Sequence, residues 1–237
     1  ITKHSDFVAL SKHIVRDLTE RNIPPARIHL IPNSVAIRPN VHGGSRRGPV
    51  LFVGNVYGDV RQKGLDILLK AWPIVVSEAP RSRLAIVGVG DFAGFRDFVA
   101  GAKISSSVNF AGPQSDLENW YRSCRVFVLP SRYEGMSNAL LEAMSYATPC
   151  VVTGISGSDD LIEDRIHGLK VPMEDHIALA HAIVFLLKHP GRARTLGARA
   201  RRTVQKRHSP DTIARQYLSM FDAILRREQS AASGTRR

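Results

Sequence analysis

Two glutamates, Glu134 and Glu142, flank seven residues that include a glycine and a serine. The apolar run Val126–Leu129 precedes them, and the pattern after the turn predicts a helix whose first turn Ser137 caps. The amino end of such a helix binds anions, because its N–H groups lack intrahelical acceptors and its dipole favours negative charge. Carboxylates repel phosphate but accept hydrogen bonds from hydroxyl groups. The spacing therefore predicts a ligand that carries both groups, such as a nucleoside diphosphate sugar.

The predicted helix over residues 138–146 has two faces. Its apolar positions are expected to face the core and its other positions to face the ligand: Leu140, Leu141 and Met144 on the first face, and Asn138, Glu142 and Ser145 on the second. A pair of acids at this spacing is more often a solvated turn and an exposed helix position. The location directly after a buried strand favours a site here, because ligands of parallel sheets bind beyond the carboxyl ends of the strands.

Short apolar runs alternate with helical patterns along most of the chain, and the runs are apolar throughout. Strands buried on both faces and separated by helices predict an α/β fold with a doubly wound, Rossmann-like parallel sheet. The predicted strands are residues 50–54, 84–88, 108–110, 126–129, 149–153 and 168–171. The predicted helices are residues 64–76, 92–100, 117–121, 138–146, 159–163, 175–187, 191–207 and 211–227.

The segment over residues 130–144 resembles the E-x7-E signature of retaining glycosyltransferases of the GT-B fold, family 4 type. Residues 147–168 are similar to the continuation in that family, and the resemblance extends over about residues 50–187. It implies the C-terminal, donor-binding half of the GT-B fold. It also implies that Glu134 binds hydroxyls of the donor sugar and Glu142 those of the ribose. The backbone N–H groups expected to hold the phosphate or the sugar are those of Gly135, Met136, Ser137 and Asn138.

A second stretch, Leu51-Phe-Val-Gly-Asn55 followed by Lys63-Gly-Leu-Asp66, resembles the phosphate-binding region of the same family. The resemblance assigns Lys63 to the diphosphate, which suits a compact ammonium at a loop–helix junction. The family usually has Arg where this chain has Asn55. Arg61 in the same loop is the candidate to supply the missing charge. If nothing replaces that charge, donor affinity or stabilisation of the leaving group is expected to be weaker.

The first forty residues predict a strand–helix–strand piece, at 6–10, 12–21 and 28–32, that is too small for a core of its own. Together with the resemblance, this indicates the tail of an N-terminal acceptor-side domain. We expect this tail over residues 1–40, a linker to about residue 49, the sugar-nucleotide donor-binding domain over 50–208, and a C-terminal crossover helix with a basic tail over 209–237.

No cofactor or metal is expected beside the donor. The G-x-G at residues 88–90 is weak evidence for a dinucleotide, and no acidic residue ends the next strand. The nine histidines show no metal-binding spacing, and Asp159-Asp160 is expected at a helix N-terminus. Cys124 and Cys150 lie in apolar stretches and are expected to be buried thiols of a cytosolic protein.

The formal charge of +12 is concentrated near the C-terminus, where the last 48 residues hold twelve Lys and Arg against three Asp and Glu. These residues lie on predicted helices with few aromatic side chains, which argues against specific nucleic-acid binding. An anionic membrane surface is a more plausible partner, and a solvated helical face is the simplest interpretation. No apolar run approaches the ~20 residues that span a bilayer, so we expect a cytoplasmic protein, with the inner membrane face as a second location.

The sequence predicts a retaining hexosyltransferase, or its donor domain, that uses a UDP- or GDP-sugar and a carbohydrate or lipid-linked acceptor. Glu134 and Lys63 are the expected catalytic residues. A non-catalytic sugar-nucleotide-binding module of the same fold remains an alternative, favoured by Asn55 and the short N-terminal region. A GT-B epimerase or phosphorylase is a third possibility, against which the E-x7-E pair argues.

Overall fold

The computed structural model describes residues 5–38, 46–56 and 61–234, with side chains described to residue 230. Most of the predicted linker therefore lies outside the described residues. The strands are β1 Phe7–Ala9, β2 Ile28–Leu30, β3 Val50–Val53, β4 Leu84–Val87, β5 Val108–Gly112, β6 Val126–Leu129, β7 Cys150–Thr153 and β8 Leu169–Val171. The helices are α1 Lys12–Glu20, α2 Leu65–Glu78, α3 Ala93–Gly101, α4 Glu118–Ser123, α5 Asn138–Ser145, α6 Ser156–Asp159, α7 His176–Lys188, α8 Pro190–Arg207 and α9 Pro210–Gly234.

Six of the strands in the described ranges form one parallel sheet in the order β5-β4-β3-β6-β7-β8. The predicted doubly wound α/β fold is confirmed. The chain runs outward from β3 in one direction and from β6 in the other, so the switch point lies between these two strands. Their carboxyl ends are neighbours there, and this is where such sheets bind ligands. The loop after β3 leads to Lys63, and the turn after β6 contains Glu134.

The sheet separates two apolar layers. Side chains of α2, α3 and α7 pack on one face, and side chains of α4 and α5 with the second half of α8 pack on the other. The strands β4, β6 and β7 are buried along their whole length, as continuous apolar runs predict. In α2, the indole of Trp72 is fully buried and donates to the Ser107 hydroxyl at 2.9 Å, which satisfies its polar group.

The N-terminal piece forms a separate two-stranded parallel sheet in which β1 pairs with β2 and α1 connects them. Polar contacts attach it to the six-stranded sheet and its helices. The Lys12 N–H donates to Asp160 Oδ2 at 2.8 Å, and Arg227 on α9 donates to the Asp6 carboxylate. Residues 31–38 then cross to the body, where the Val35 N–H donates to the His208 carbonyl at 2.9 Å.

The short helix predicted at residues 159–163 is wrong in position, because α6 occupies Ser156–Asp159. The Ser158 hydroxyl accepts from the Ile155 N–H at 3.2 Å and closes the first turn earlier than expected. Asp159 and Asp160 therefore lie at the carboxyl end of α6 and not at a helix N-terminus. Asp160 instead accepts from the first N–H of α1 and binds the N-terminal piece to the body.

Within the described part of the chain, none of the helices combines the length and the apolar composition that crossing a membrane requires.

Candidate functional site

Lys63 and Glu134 meet at the switch point of the sheet. Lys63 Nζ lies 2.7 Å from Glu134 Oε1, and the carboxylate is nearly buried at 7% residue exposure. The Ser131 hydroxyl donates to the same Oε1 atom at 2.8 Å. No hydrogen bond to Glu134 Oε2 is found among the described residues. The carboxylate is thus fixed by one oxygen and offers the other to a hydroxyl donor.

Gly64 brings these two loops together. It precedes α2 with φ of +67°, and a Cβ at this position would lie 1.9 Å from the Pro130 carbonyl oxygen. Because only glycine combines the left-handed conformation with this close approach, α2 begins directly against the end of β6. The ammonium of the preceding residue, Lys63, is then within reach of Glu134.

Gly157 allows a similarly close approach of α6 on the other side of the turn. A Cβ at Gly157 would lie 2.2 Å from the carbonyl oxygen of Glu134, so α6 packs directly on the turn that holds the carboxylate. The Thr153 hydroxyl at the end of β7 also donates to the Ser131 carbonyl. The turn is therefore held from β7 and α6 as well as from α2.

Arg132 joins three segments around the Lys63–Glu134 pair. Its guanidinium donates two parallel hydrogen bonds of 2.8 Å to Asp66 in the first turn of α2, and two more to Glu174, one from Nε and one of 2.9 Å from Nη2. It also donates to the Arg61 carbonyl. This fork geometry fixes the loop before α2 relative to the turn after β6. Sequence reasoning missed Arg132, because its partners are far from it along the chain.

The pKa values in this cluster follow from the same contacts. Partial burial by itself would raise the pKa of Asp66, but the hydrogen bonds and the charge of Arg132 outweigh burial and hold that pKa below its ordinary value. The hydrogen bond from Arg132 likewise lowers the pKa of Glu174. Both carboxylates remain ionised under ordinary conditions and keep the cationic fork in place.

The amino end of α5 is capped as predicted, since the Ser137 hydroxyl accepts from the Leu140 N–H at 3.3 Å. Within the described residues, the backbone N–H groups of Gly135, Met136, Ser137 and Asn138 donate to no protein acceptor. These groups and the helix dipole are the features that bind an anion. Asn33 from the N-terminal piece approaches this end, because its side-chain amide donates to Asn138 Oδ1 at 2.8 Å.

Glu142 lies one and a half turns further along α5, half-buried, on a cleft of about 420 Å³. Asn138 lines the same cleft, together with Tyr121 from α4 and Arg38 and Gln114 from the flanking loops. Glu134 is not among its lining residues. The two acids of the E-x7-E pair therefore occupy opposite ends of one turn and helix, and the N–H groups of Gly135–Asn138, which have no acceptor among the described residues, lie between them.

The predicted faces of α5 are correct. Leu140, Leu141 and Met144 are fully buried, as expected. Ser145, expected on the ligand face, lines the same cleft as Asn138 and Glu142 and is 1% exposed at its wall. Helix α8 packs against α5, and Arg201 of α8 donates to the Ser145 carbonyl, which the periodicity of α5 alone does not reveal.

Asn55 and Arg61 are the two remaining predicted donor-binding residues. The Asn55 side chain accepts from the Val89 N–H at 3.1 Å and thereby joins the loops after β3 and β4. The Arg61 side chain is exposed, and residues 57–60 before it lie outside the described ranges. Their roles toward a donor phosphate remain predictions, as do those of the other site residues.

Within the described ranges, no three His, Cys, Asp or Glu side chains lie close enough together to hold a metal ion. Cys124 and Cys150 are fully buried free thiols, in agreement with their apolar sequence context. Burial raises the pKa of Cys124 to about 12, so this thiol stays protonated and unreactive.

Comparison with known proteins places the fold and the family. Residues 47–189 match the family described as Glycosyl transferases group 1. The uncharacterized glycosyltransferase MJ1607 of Methanocaldococcus jannaschii is 29% identical over 175 residues, which cover 73% of this chain and 44% of that protein. The UDP-Gal:α-D-GlcNAc-diphosphoundecaprenol α-1,3-galactosyltransferase of Escherichia coli is 27% identical over 181 residues, covering 70% and 47%. The chain thus spans about half the length of these curated relatives.

Among solved structures, a mutant of Staphylococcus aureus TarM in complex with fondaparinux, α-GlcNAc-glycerol and UDP superimposes with a TM-score of 0.83 at 21% identity. The match covers 91% of this chain and 43% of TarM. The α/β fold is that of GT-B glycosyltransferases, and the chain belongs to the group 1 glycosyl transferase family, whose match covers more than half of it.

Proposed function

We propose that the chain is the donor-binding half of a retaining hexosyltransferase of the family 4 type, which takes a nucleoside diphosphate sugar and transfers the hexose to a carbohydrate or lipid-linked acceptor. One observation carries the proposal. The unpaired N–H groups at the amino end of α5 lie between the Lys63–Glu134 pair and Glu142. An anion-binding helix end between two carboxylates suits a diphosphate with hydroxyl-bearing groups on both sides.

Each part of the donor has a proposed partner. The ribose hydroxyls donate to Glu142 in the cleft, and the sugar hydroxyls donate to the free oxygen of Glu134. The distal phosphate accepts from the N–H groups of Gly135–Asn138. Lys63 has three donors, so it can keep its contact with Glu134 while it also binds a phosphate oxygen. UDP is the first donor nucleotide to test, because the similar TarM structure contains it.

The hard step of the transfer is the departure of the nucleoside diphosphate while positive charge grows at the anomeric carbon. Lys63 and the amino end of α5 are placed to stabilise the negative charge on the departing group, where charge develops. Glu134 holds the sugar by its hydroxyls, and this orients the anomeric carbon toward the acceptor. The half-buried setting of the Lys63–Glu134 pair strengthens both effects relative to water.

Calorimetric titration with UDP, GDP and ADP tests the proposal. We expect one of them to bind the chain, and Glu142→Ala to weaken that binding by about 1.5–3 kcal/mol, the value of a hydrogen bond to a charged group. Glu163→Ala, which removes an exposed acid outside the cleft, is the matched control and should leave affinity unchanged. Absence of binding for all three nucleotides contradicts the proposal.

A non-catalytic nucleotide-binding module is the second candidate, and Asn55 favours it. Its side chain accepts from Val89 at a position where the family usually supplies a cation, so Lys63 is the principal charge left beside the phosphate site. Nucleotide release from a UDP-sugar in the presence of acceptors distinguishes the two functions. Binding without release supports the module, and release abolished by Lys63→Ala supports the transferase.

The proposed partners include an anionic membrane surface. Helix α8 contains no acidic residue, and four of its cations, Arg192, Arg199, Arg202 and Lys206, recur at helical spacing on its exposed side. No ion pair to these four side chains is found in the described ranges. A lipid-linked acceptor is presented at such a surface, and the E. coli relative acts on a diphosphoundecaprenol substrate.

A further inference from the structure

The cleft that contains Glu142 also contains a buried hydroxyl that makes no hydrogen bond of normal geometry. Tyr121 is 1% exposed, and its Oη atom has no hydrogen-bond partner of normal geometry among the described residues. Buried hydroxyls are almost always paired in native proteins, because an unpaired one has lost its hydrogen bonds to water without replacement. A buried hydroxyl at the wall of a cleft, whose contact with its neighbour lies outside normal hydrogen-bond geometry, therefore indicates a partner that reorients when a ligand binds.

Tyr121 is held too firmly to find a partner by moving. Its carbonyl accepts from Arg46 Nη1 at 2.7 Å and from the Thr148 hydroxyl at 2.9 Å. Its ring stacks on the ring of Tyr146 at a centroid distance of 5.8 Å and packs against that of Phe127 at 6.0 Å. With backbone and ring fixed on several sides, the position of Oη is set by the fold.

The group that can reach Oη is the Glu142 carboxylate. Burial first, then the charge of Glu142 and a hydrogen-bonding contact with its carboxylate, raise the pKa of Tyr121, so the phenol is protonated and is a hydrogen-bond donor. Tyr121 and Glu142 line the same cleft. The Glu142 side chain is half-buried and has several rotatable bonds, so it is the member of the pair that can change its orientation.

We propose that Tyr121 is a positioning residue for ribose recognition: its hydroxyl donates to the Glu142 carboxylate when a nucleotide occupies the cleft and fixes the carboxylate toward the ribose diol. The inference rests on the proposed function, in which Glu142 binds the ribose. An ionised carboxylate has about four lone-pair sites, so one donated bond from Tyr121 leaves enough for both ribose hydroxyls. The Tyr121 hydroxyl and the two ribose hydroxyls then make their hydrogen bonds to the carboxylate together.

This arrangement predicts selectivity for ribonucleotides over deoxyribonucleotides. A carboxylate held in one orientation accepts from both hydroxyls at once, and a missing 2′-hydroxyl leaves part of it desolvated and unpaired. A carboxylate free to rotate adjusts to a single hydroxyl and discriminates less. The selectivity therefore reports the Tyr121 contact, which a residue that only fills space would not affect.

The experiment measures the affinities of UDP and 2′-deoxy-UDP by calorimetry, with GDP and ADP and their 2′-deoxy analogues as alternatives, on the wild-type chain, Tyr121→Phe, Glu142→Gln and the double variant. We expect wild type to favour UDP about tenfold over its deoxy analogue, and Tyr121→Phe to bind UDP about fivefold more weakly with discrimination of about twofold. The double variant should lose no more than Glu142→Gln alone. Tyr217→Phe on α9 is the control, with both affinities unchanged.

Thermal unfolding separates this role from a structural one. Tyr121→Phe keeps the ring contacts and removes a buried hydroxyl that makes no hydrogen bond of normal geometry, so its melting temperature should equal or exceed that of wild type. A lower melting temperature with equal weakening of both nucleotides overturns the inference, as does unchanged discrimination in Tyr121→Phe. If wild type binds none of these nucleotides, the proposed function fails first and the inference fails with it.

Discussion

The electrostatics of the site depend on how a few charged side chains share their contacts. Lys63 and Ser131 both donate hydrogen bonds to the same carboxylate oxygen of Glu134. The charge of Lys63 is therefore partly neutralised by Glu134 before a ligand binds. The proposed diphosphate would bring further negative charge here, and the neutral Asn55 adds no positive charge where the family usually has Arg.

Substitutions of opposite charge at Asn55 test whether its side chain lies beside the donor phosphates. Asn55→Asp keeps an oxygen for the Val89 N–H but adds a negative charge, whereas Asn55→Arg adds a positive one. We expect UDP affinity to fall about fivefold in the first and to rise about fivefold in the second, since each change is about 1 kcal/mol of charge interaction. Both effects should shrink as salt increases.

Calorimetry at low and high salt measures these affinities. Arg96, an exposed cation on α3, provides the control through Arg96→Gln, which should leave UDP affinity unchanged. If both Asn55 variants bind UDP as wild type does, the phosphates do not lie near this side chain, and the comparison with the family's Arg does not apply to this chain.

At the scale of the elements, the site depends on two helices that begin unusually close to the ends of strands. Helix α2 begins against β6 at Gly64, and α6 begins against the turn after β6 at Gly157. Neither approach leaves space for a side chain. The distance between Lys63 and Glu134 is consequently a property of backbone packing and not of the two side chains alone.

Gly64→Ala should be among the most damaging small substitutions in the chain. The new Cβ would meet the Pro130 carbonyl, and φ is left-handed, so we expect a loss of about 3 kcal/mol in the free energy of unfolding. Gly101→Ala at the end of α3, where a Cβ meets nothing, should be neutral or slightly stabilising. Urea unfolding of both variants measures the difference, and equal stabilities would show that α2 can shift from β6 at low cost.

The sequence predicts most elements within a few residues, because strands such as β6 and β7 are apolar throughout and their helices show regular spacing. The predicted position of the short helix α6 is wrong, because the start of this helix depends on the Ser158 hydroxyl and on packing at Gly157. The ion pair between Arg132 and Asp66 and the burial of Ser145 could not be predicted from the sequence either. Each depends on contacts between residues far apart in sequence, which periodicity does not encode.

At the scale of the molecule, the site lies where three parts meet. The six-stranded sheet supplies Lys63 and Glu134, and the N-terminal piece reaches the amino end of α5 through Asn33, which contacts both Met136 and Asn138. Helix α9 returns to the N-terminal piece through Arg227 and Asp6. The proposed donor site is therefore connected to the N-terminal piece, and a movement of that piece would alter the environment of α5.

Positive charge is concentrated on the exposed side of α8. The cations Arg192, Arg199, Arg202 and Lys206 on α8 span about 21 Å, which follows from 14 residues at 1.5 Å each. Arg201 lies elsewhere on the helix and donates to the carbonyls of Ser145 and Arg38. The exposed cations repel one another, and an anionic surface relieves this repulsion along the whole stripe.

Co-sedimentation with lipid vesicles tests the proposed membrane partner. We expect the chain to bind vesicles containing phosphatidylglycerol and not vesicles of phosphatidylcholine alone. Each cation near an anionic surface contributes about 1 kcal/mol, so replacing Arg199, Arg202 and Lys206 together by Gln should weaken binding about a hundredfold.

The matched control replaces three exposed cations outside α8, Arg16, Arg21 and Arg81, and should retain most of the binding. Equal losses in the two triple variants indicate that net charge alone is responsible, and tighter binding to duplex DNA than to the anionic vesicles at the same salt contradicts a membrane as the partner of this surface.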